Sequence, residues 1–372
     1  MRSAVARPVR PVTPGDGRPV LVTGGAGFIG VNLAARLAEE GHEVLVLDTL
    51  ARPGTERNLA WLLASHPGRI AHLDADIRDT TALTAAVREC GAVFHLAAQV
   101  AVTDSVSDSA TDFSINLAGT FGLLLAVRAC GREVPLLFAS TNKVYGGLDD
   151  VPLERTAAGY APVDAAIRAH GIGEARPLCF STPYGCSKGG ADQYVLDHAH
   201  TYGLSTVVLR MSCIYGPHQQ GTEDQGWVAH FVRNALLGRP ITLYGDGHQV
   251  RDVLHVDDCV AAYLAAWRRM GQVRGRAFNL GGGPANAVSL RGIIHLLEDL
   301  GGEAVALREQ DWRPADQRYY VSDTRAATAA LGLTAPKPWH EGVGELYRWL
   351  RDDLAGGPAP AAGPRQAAEA VL

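Results

Sequence analysis

Short apolar runs alternate with amphipathic stretches through the first 210 residues. Pro19-Val20-Leu21-Val22, Glu43-Val44-Leu45-Val46-Leu47 and Ala92-Val93-Phe94-His95-Leu96 are largely apolar runs with β-branched residues. Ile70-Ala71-His72-Leu73, Val134-Pro135-Leu136-Leu137-Phe138-Ala139-Ser140 and Thr206-Val207-Val208-Leu209-Arg210 continue the series. Runs of this length, without polar alternation, suit strands buried on both faces. Between them lie helical periods: Val31–Glu40, about Asp112–Cys130, and a stretch ending near Tyr202. Strands alternating with helices predict an α/β fold, a doubly wound parallel sheet. From Gly146 to Ser181 the pattern is irregular and polar, with a helical patch from Val163 to His170. That segment reads as an excursion from the sheet. Beyond about Gly216 the alternation loosens, which predicts a smaller C-terminal substrate-binding lobe. Ile241–Tyr244 and Ala277–Leu280 are candidates to return to sheets.

The expected organisation is a flexible arm over 1–18, a dinucleotide-binding domain over 19–215, a substrate lobe over 216–352 and a disordered Ala/Pro/Gly-rich tail over 353–372. No internal repeat is visible.

The first strand runs into Thr23-Gly24-Gly25-Ala26-Gly27-Phe28-Ile29-Gly30 and then a helix. Strand, glycine turn and helix form the context in which a glycine fingerprint predicts dinucleotide binding. Gly24 and Gly27 permit the turn and close approach of a pyrophosphate, and Gly30 permits helix-to-strand packing. Phe28 and Ile29 open the helix, whose free N–H groups attract phosphate. Asp48 follows the next strand, where a carboxylate binds an adenosine ribose and repels a 2′-phosphate, so NAD is expected over NADP. Arg52 stands close enough to weaken that preference. Asp76 and Ile77 are placed beside the adenine. Leu96, Ala97, Ala98 and Gln99 are placed on the cofactor wall, and Asn116 is either a cofactor-side amide or a satisfied buried one.

The stretch Thr182-Pro183-Tyr184-Gly185-Cys186-Ser187-Lys188 puts a tyrosine and a lysine four residues apart, on one helical face. Alone, that spacing is common on surfaces. Beside a nicotinamide it suits proton transfer to and from a sugar hydroxyl. A nearby ammonium is expected to lower the tyrosine pKa from about 10. Thr141, at the carboxyl end of its strand, is the expected partner of the reacting oxygen.

Composition narrows the classes. The 372 residues are 47% hydrophobic and 20% charged, with net charge −5, a globular balance with no basic cluster for nucleic acid. No apolar run reaches the roughly 18 residues of a bilayer span, and no membrane partner is expected. The N-terminal segment lacks a secretory h-region. The six cysteines form no CxxC pair, and a reduced, cytoplasmic setting is expected. His218, His230, His248 and His255 show no ligand spacing, so no metal is expected.

These motifs together resemble the extended short-chain dehydrogenase/reductases that act on nucleotide sugars. The resemblance spans roughly 19–350. Val250-Arg251-Asp252-Val253-Leu254-His255-Val256-Asp257-Asp258 is similar to that family's diphosphate-arginine motif, and Arg313-Pro314-Ala315-Asp316-Gln317 to its second one. Three stretches narrow it further: Ser140-Thr141-Asn142-Lys143-Val144-Tyr145-Gly146, Pro183–Gly189, and Gln219–Trp227 leading to Gly247–Asp252. With His95–Thr103 they closely resemble the CDP-paratose (CDP-tyvelose) 2-epimerases. Gly173 and Cys179 depart from that group, which has aspartates there.

The resemblance implies NAD as a retained cofactor, a nucleotide-diphosphate sugar as substrate, and inversion at C2 by transient oxidation. It places Thr141, Tyr184 and Lys188 in catalysis. It places Thr103, Asn142, Gln225, Arg251, Arg313 and Asp316 on the substrate. It also implies a homodimer, or higher homo-oligomer, through the helices near Asp112–Cys130 and Gly189–Tyr202. The dehydratases of the family carry an Asp-Glu pair directly after the strand threonine. Here those positions are Asn142 and Lys143, which excludes dehydration as the main activity. A nucleotide-sugar 4-epimerase uses the same three groups and stays open. So does a non-catalytic NAD-bound scaffold, which loss of isomerisation in Tyr184→Phe with NAD retained would rule out.

Overall fold

A computed structural model describes residues 17–313 and 316–356. Most of the expected arm and tail therefore lies outside the described residues, as do Pro314 and Ala315. Asp353 and Leu354 instead close the last helix, Trp339–Leu354.

The apolar runs form one parallel sheet of seven strands. They are β1 (Val20–Thr23), β2 (Val44–Leu47), β3 (Ile70–Leu73), β4 (Ala92–His95), β5 (Leu136–Thr141), β6 (Thr206–Met211) and β7 (Arg276–Leu280). Their order in space is β7-β6-β5-β4-β1-β2-β3. The order reverses between β1 and β4, the switch point where open α/β sheets bind ligands beyond the strand ends. One sheet face packs against the helices Phe28–Glu39, Thr55–Ser65 and Val256–Arg268. The other packs against Thr80–Glu89, Ser109–Ala129 and Thr182–Tyr202. β1, β4 and β5 are buried along their whole length, which is why they are largely apolar, with polar side chains only at their carboxyl ends.

The expected doubly wound fold is found, with a smaller lobe built around Val250–His255. That strand pairs antiparallel with Ala287–Ser289 and parallel with Tyr319–Tyr320 and Cys213–Tyr215. Of the two candidate returns, Ala277–Leu280 joins the main sheet as part of its edge strand. Ile241–Tyr244 pairs with Leu307–Gln310 in a separate sheet.

Several local expectations are corrected. The excursion Gly146–Ser181 holds an antiparallel hairpin, Leu153–Thr156 with Gly159–Pro162. The helix expected from Asp112 begins at Ser109 and passes through a π-helical turn, Phe113–Gly119. Ser109–Ala129 is also long and apolar enough to cross a membrane by length and composition, contrary to the expectation that no stretch reaches that length. In the fold, Leu123, Leu124 and Val127 of this helix are buried in the core face shared with Thr182–Tyr202.

Candidate active site

A cleft of about 580 Å³ opens at the carboxyl ends of the strands, across the switch point. The glycine turn forms one end. Gly24 has φ of 68°, and a Cβ on it would sit 2.7 Å from the Ala97 nitrogen. A Cβ on Gly30 would sit 2.2 Å from the Gly24 carbonyl oxygen. Turn, helix and β4 are thus in contact at positions only glycine fits. Gly27 caps the helix Phe28–Glu39 without any side-chain hydrogen bond, so the first N–H groups face the cleft uncapped. Asp48 lies at the end of β2. Its carboxylate accepts from the Ala26 N–H at 3.1 Å and the Leu50 N–H at 2.9 Å, which ties the turn to the next loop.

Phe28, Ile29, Asp76, Ile77, Leu96, Ala97, Ala98 and Gln99 all line this cleft. Asn116 lies behind its wall. It accepts from the Gln99 N–H at 2.9 Å and donates to the Gln99 carbonyl at 3.0 Å. The Gln99 Oε1 is buried and lacks a partner among the described residues. An uncapped helix start, a carboxylate at the ribose position and an unmet polar atom on the wall fit a dinucleotide.

The helix Thr182–Tyr202 brings Tyr184 and Lys188 to the centre of the cleft, opposite Thr141 at the end of β5. Pro183 in its first turn suits a helix start. The Tyr184 phenol is hydrogen-bonded to the Thr141 hydroxyl. Lys188 is 3% exposed, and its Nζ lies 4.3 Å from the centroid of the Phe138 ring.

The substrate-side residues divide. Asn142 and Gln225 line the cleft. Asn142 is buried and donates to Gln317 Oε1 at 3.1 Å, while Gln225 accepts from Arg52. Arg251 and Asp316 pair at 2.8 Å just beyond the cleft walls. Arg313 lies 3.3 Å from Asp224, a cleft residue, and its guanidinium stacks 4.0 Å over the Tyr244 ring. Thr103 is exposed on the short helix Val102–Ser107 and does not line the cleft.

The model of the NAD dependent epimerase/dehydratase family matches residues 20–281. The chain belongs to this family. Its relatives include the CDP-paratose 2-epimerase of Salmonella typhi, 40% identical over 89% of this chain and 98% of that protein. The dTDP-glucose 4,6-dehydratase of Streptomyces antibioticus is 33% identical over 90% of this chain and 93% of that protein. Among solved structures, the UDP-glucose 4-epimerase of Thermus thermophilus, in complex with NAD, superposes with a TM-score of 0.75. It is 32% identical and covers 90% of this chain and 99% of that one. The family, the NAD cofactor and the enzyme class, an epimerase, are those expected from the motifs.

For this family member one electrostatic expectation is corrected. Lys188 was expected to lower the Tyr184 pKa. In the protein by itself, desolvation pushes the Tyr184 hydroxyl up to about 12, against the lowering effect of its Thr141 bond. Burial likewise pushes Lys188 down to about 7, opposed by the carboxylates of Asp192 and Asp112. The two groups are desolvated together, so each resists its charged form.

Three features had no motif to announce them. Asp112 is buried, donates nothing, and accepts from Ser187 Oγ and from Asn116 Nδ2 at 3.0 Å. Ser187 also bonds the Tyr184 carbonyl at 3.2 Å, so this chain of bonds ties the cleft wall to the helix that carries Tyr184 and Lys188. Asp192 and Arg210 form a buried pair at 2.9 Å under the same helix. Met211, Ser212 and Cys213 line the cleft from the end of β6. Their position after a strand end, like that of Thr141, was the available signal.

Proposed function

We propose that this chain is an NAD-dependent nucleotide-sugar epimerase that inverts C2 of a CDP-hexose of the paratose/tyvelose type. The observation that carries it is the convergence of Thr141, Tyr184 and Lys188 in a cleft whose next two positions are Asn142 and Lys143. Dehydration needs a carboxyl acid and a carboxylate base there. Asn142 is instead clamped to Gln317. Identity of 40% to a CDP-paratose 2-epimerase supports the nucleotide and the carbon.

A carbinol carbon away from any carbonyl has no acidic C–H, so direct deprotonation faces a prohibitive barrier. Oxidation to a ketone makes the centre planar, and reduction on the opposite face inverts it. When bound, NAD supplies the acceptor and donor of the hydride. The uncapped helix start and Asp48 hold it. Thr141 orients the reacting oxygen. Tyr184 removes the hydroxyl proton and returns it once the other face has been reduced. Arg251 and Arg313 bind the diphosphate.

The test is incubation with CDP-, UDP- and GDP-hexoses in D₂O, followed by NMR of the products. Retention of hydrogen at an inverted C2 is expected. Deuterium at that carbon, inversion at C4, or release of a 4-keto-6-deoxy sugar would overturn the reading.

We also infer a homodimer. Phe113, Phe121, Leu125, Tyr194 and Tyr202 form an exposed apolar face on the two adjacent helices, with the Phe121 and Tyr194 rings 5.1 Å apart. Six unpaired cysteines and a nucleotide-linked substrate support a cytoplasmic setting.

A further inference from the structure

Lys143 is a cleft cation to which no role has yet fallen. It stands two positions after Thr141, and its backbone N–H donates to the Thr141 hydroxyl at 3.2 Å. Its carbonyl accepts from the Gly146 N–H at 3.1 Å, which closes the turn. The turn is clamped from the other lobe. Asn142 donates to Gln317, and Gln317 donates back to the Gly146 carbonyl at 2.6 Å. The Lys143 backbone is therefore held relative to the Thr141 hydroxyl.

Its ammonium lies 4.0 Å from Asp316 Oδ1, with the lysine side chain 24% exposed. The same oxygen accepts from Arg251 at 2.8 Å. Two cations thus share one carboxylate, and one positive charge is left over. In a half-buried place that charge is poorly screened and calls for an anion. The Arg251 end of the pair is where a diphosphate is expected. The Lys143 backbone adjoins Thr141, and the residue lines the same cleft as Tyr184. Lys143 thus joins the expected anion site, through Asp316, to the turn that follows the Thr141 strand.

That position bears on which sugar carbon reacts. C2 is bonded to the anomeric carbon, whose oxygen carries the diphosphate. C4 stands across the ring. A diphosphate held only by outlying arginines leaves the far side of the ring at the tyrosine. A diphosphate drawn inward to a lysine beside the catalytic threonine brings the near side there. We propose that Lys143 is a specificity-determining residue, whose ammonium binds the diphosphate oxygens next to the anomeric carbon and so presents C2 rather than C4 to Tyr184. The proposal rests on the epimerase reading above. It adds the residue that selects the carbon.

The experiment uses the full chain with its NAD, as wild type, Lys143→Met and Lys143→Arg. Calorimetry measures binding of CDP and of cytidine. NMR follows the rate and the position of inversion in a CDP-hexose. Lys143→Met should weaken CDP binding at least about tenfold, the loss expected for a charge-assisted hydrogen bond, and leave cytidine binding unchanged. Its kcat/KM for C2 inversion should fall by at least as much, with C4 epimer appearing among the products. Lys143→Arg should keep CDP binding within a few-fold of wild type. If Lys143→Met fails to fold, Lys143→Gln, which drops the charge and keeps a donor, carries the same expectations. Wild-type CDP affinity together with exclusive, undiminished C2 inversion in the neutral variant overturns the proposal. A wild type that inverts no CDP-hexose at C2 overturns the epimerase reading instead, so the two failures are distinguishable.

Discussion

The Tyr184–Lys188 pair makes a quantitative prediction about pH. Burial sets Lys188 at about 7 and the Tyr184 hydroxyl at about 12. We take the two, four residues apart on one helix, to titrate as one unit whose first proton leaves near pH 7 and belongs to the pair. Oxidation needs a base, and only the unit that has lost this proton is one. Activity should therefore rise as pH climbs through about 7. In Lys188→Met the phenol alone must ionise, with a pKa near 12. At pH 8 the wild-type unit is about nine-tenths deprotonated, and the variant about one part in 10⁴. The expected result is a kcat/KM lower by about four powers of ten at pH 8, rising tenfold per pH unit above it. The assay is the pH profile of kcat/KM between pH 5.5 and 10, read by NMR or chromatography of the epimer. Cofactor charge acts on both proteins, so the difference between their acid limbs is the quantity to read. An unchanged limb near pH 7 in Lys188→Met, at any activity, would refute the assignment of that limb to the pair.

Two further outcomes follow from other parts of the structure. Arg210→Met leaves Asp192 buried with the Ser140 hydroxyl and the Gln193 amide as its remaining hydrogen-bond donors. Removing one member of a buried pair should cost about 3–5 kcal/mol in denaturant unfolding, and a loss below about 1 kcal/mol would show that water satisfies the carboxylate. Phe121→Asp places a charge in the exposed aromatic face next to Tyr194. Light scattering should report a dimer for wild type and a monomer for the variant, with NAD content unchanged. A monomeric wild type would remove the dimer from the account.

The elements that could be read from sequence are those whose cause is local. β1, the glycine turn and Asp48 declare themselves because a buried strand must be apolar and a close approach must be glycine. Tyr184 and Lys188 declare themselves by helical spacing. The π-helical turn Phe113–Gly119 does not. Its sequence is helical by period, and nothing local in it signals the extra residue per turn; the buried Asn116 within it bonds both the N–H and the carbonyl of Gln99. The hairpin Leu153–Thr156/Gly159–Pro162 is too short and too polar to carry a strand signal, and it is held from outside, by the Tyr160 N–H donating to the His248 carbonyl at 2.9 Å. The pKa order of the catalytic pair was missed for the same reason. Spacing says that two side chains meet, and only burial says which charge each can bear.

The two positions after Thr141 show how one scaffold keeps related chemistries apart. A carboxyl pair there would serve elimination. Asn142 and Lys143 are both turned to the second lobe, one bonded to Gln317 and the other facing Asp316. The amide ties the turn after β5 to Gln317 on the second lobe. The ammonium adds a charge that can hold an anion but, while protonated, cannot accept a proton from carbon. Burial and Arg251 lower the Lys143 pKa, and Asp316 opposes them. Asp316 therefore does more than pair with Arg251: from the opposite lobe it also favours the charged form of Lys143 against the effect of burial.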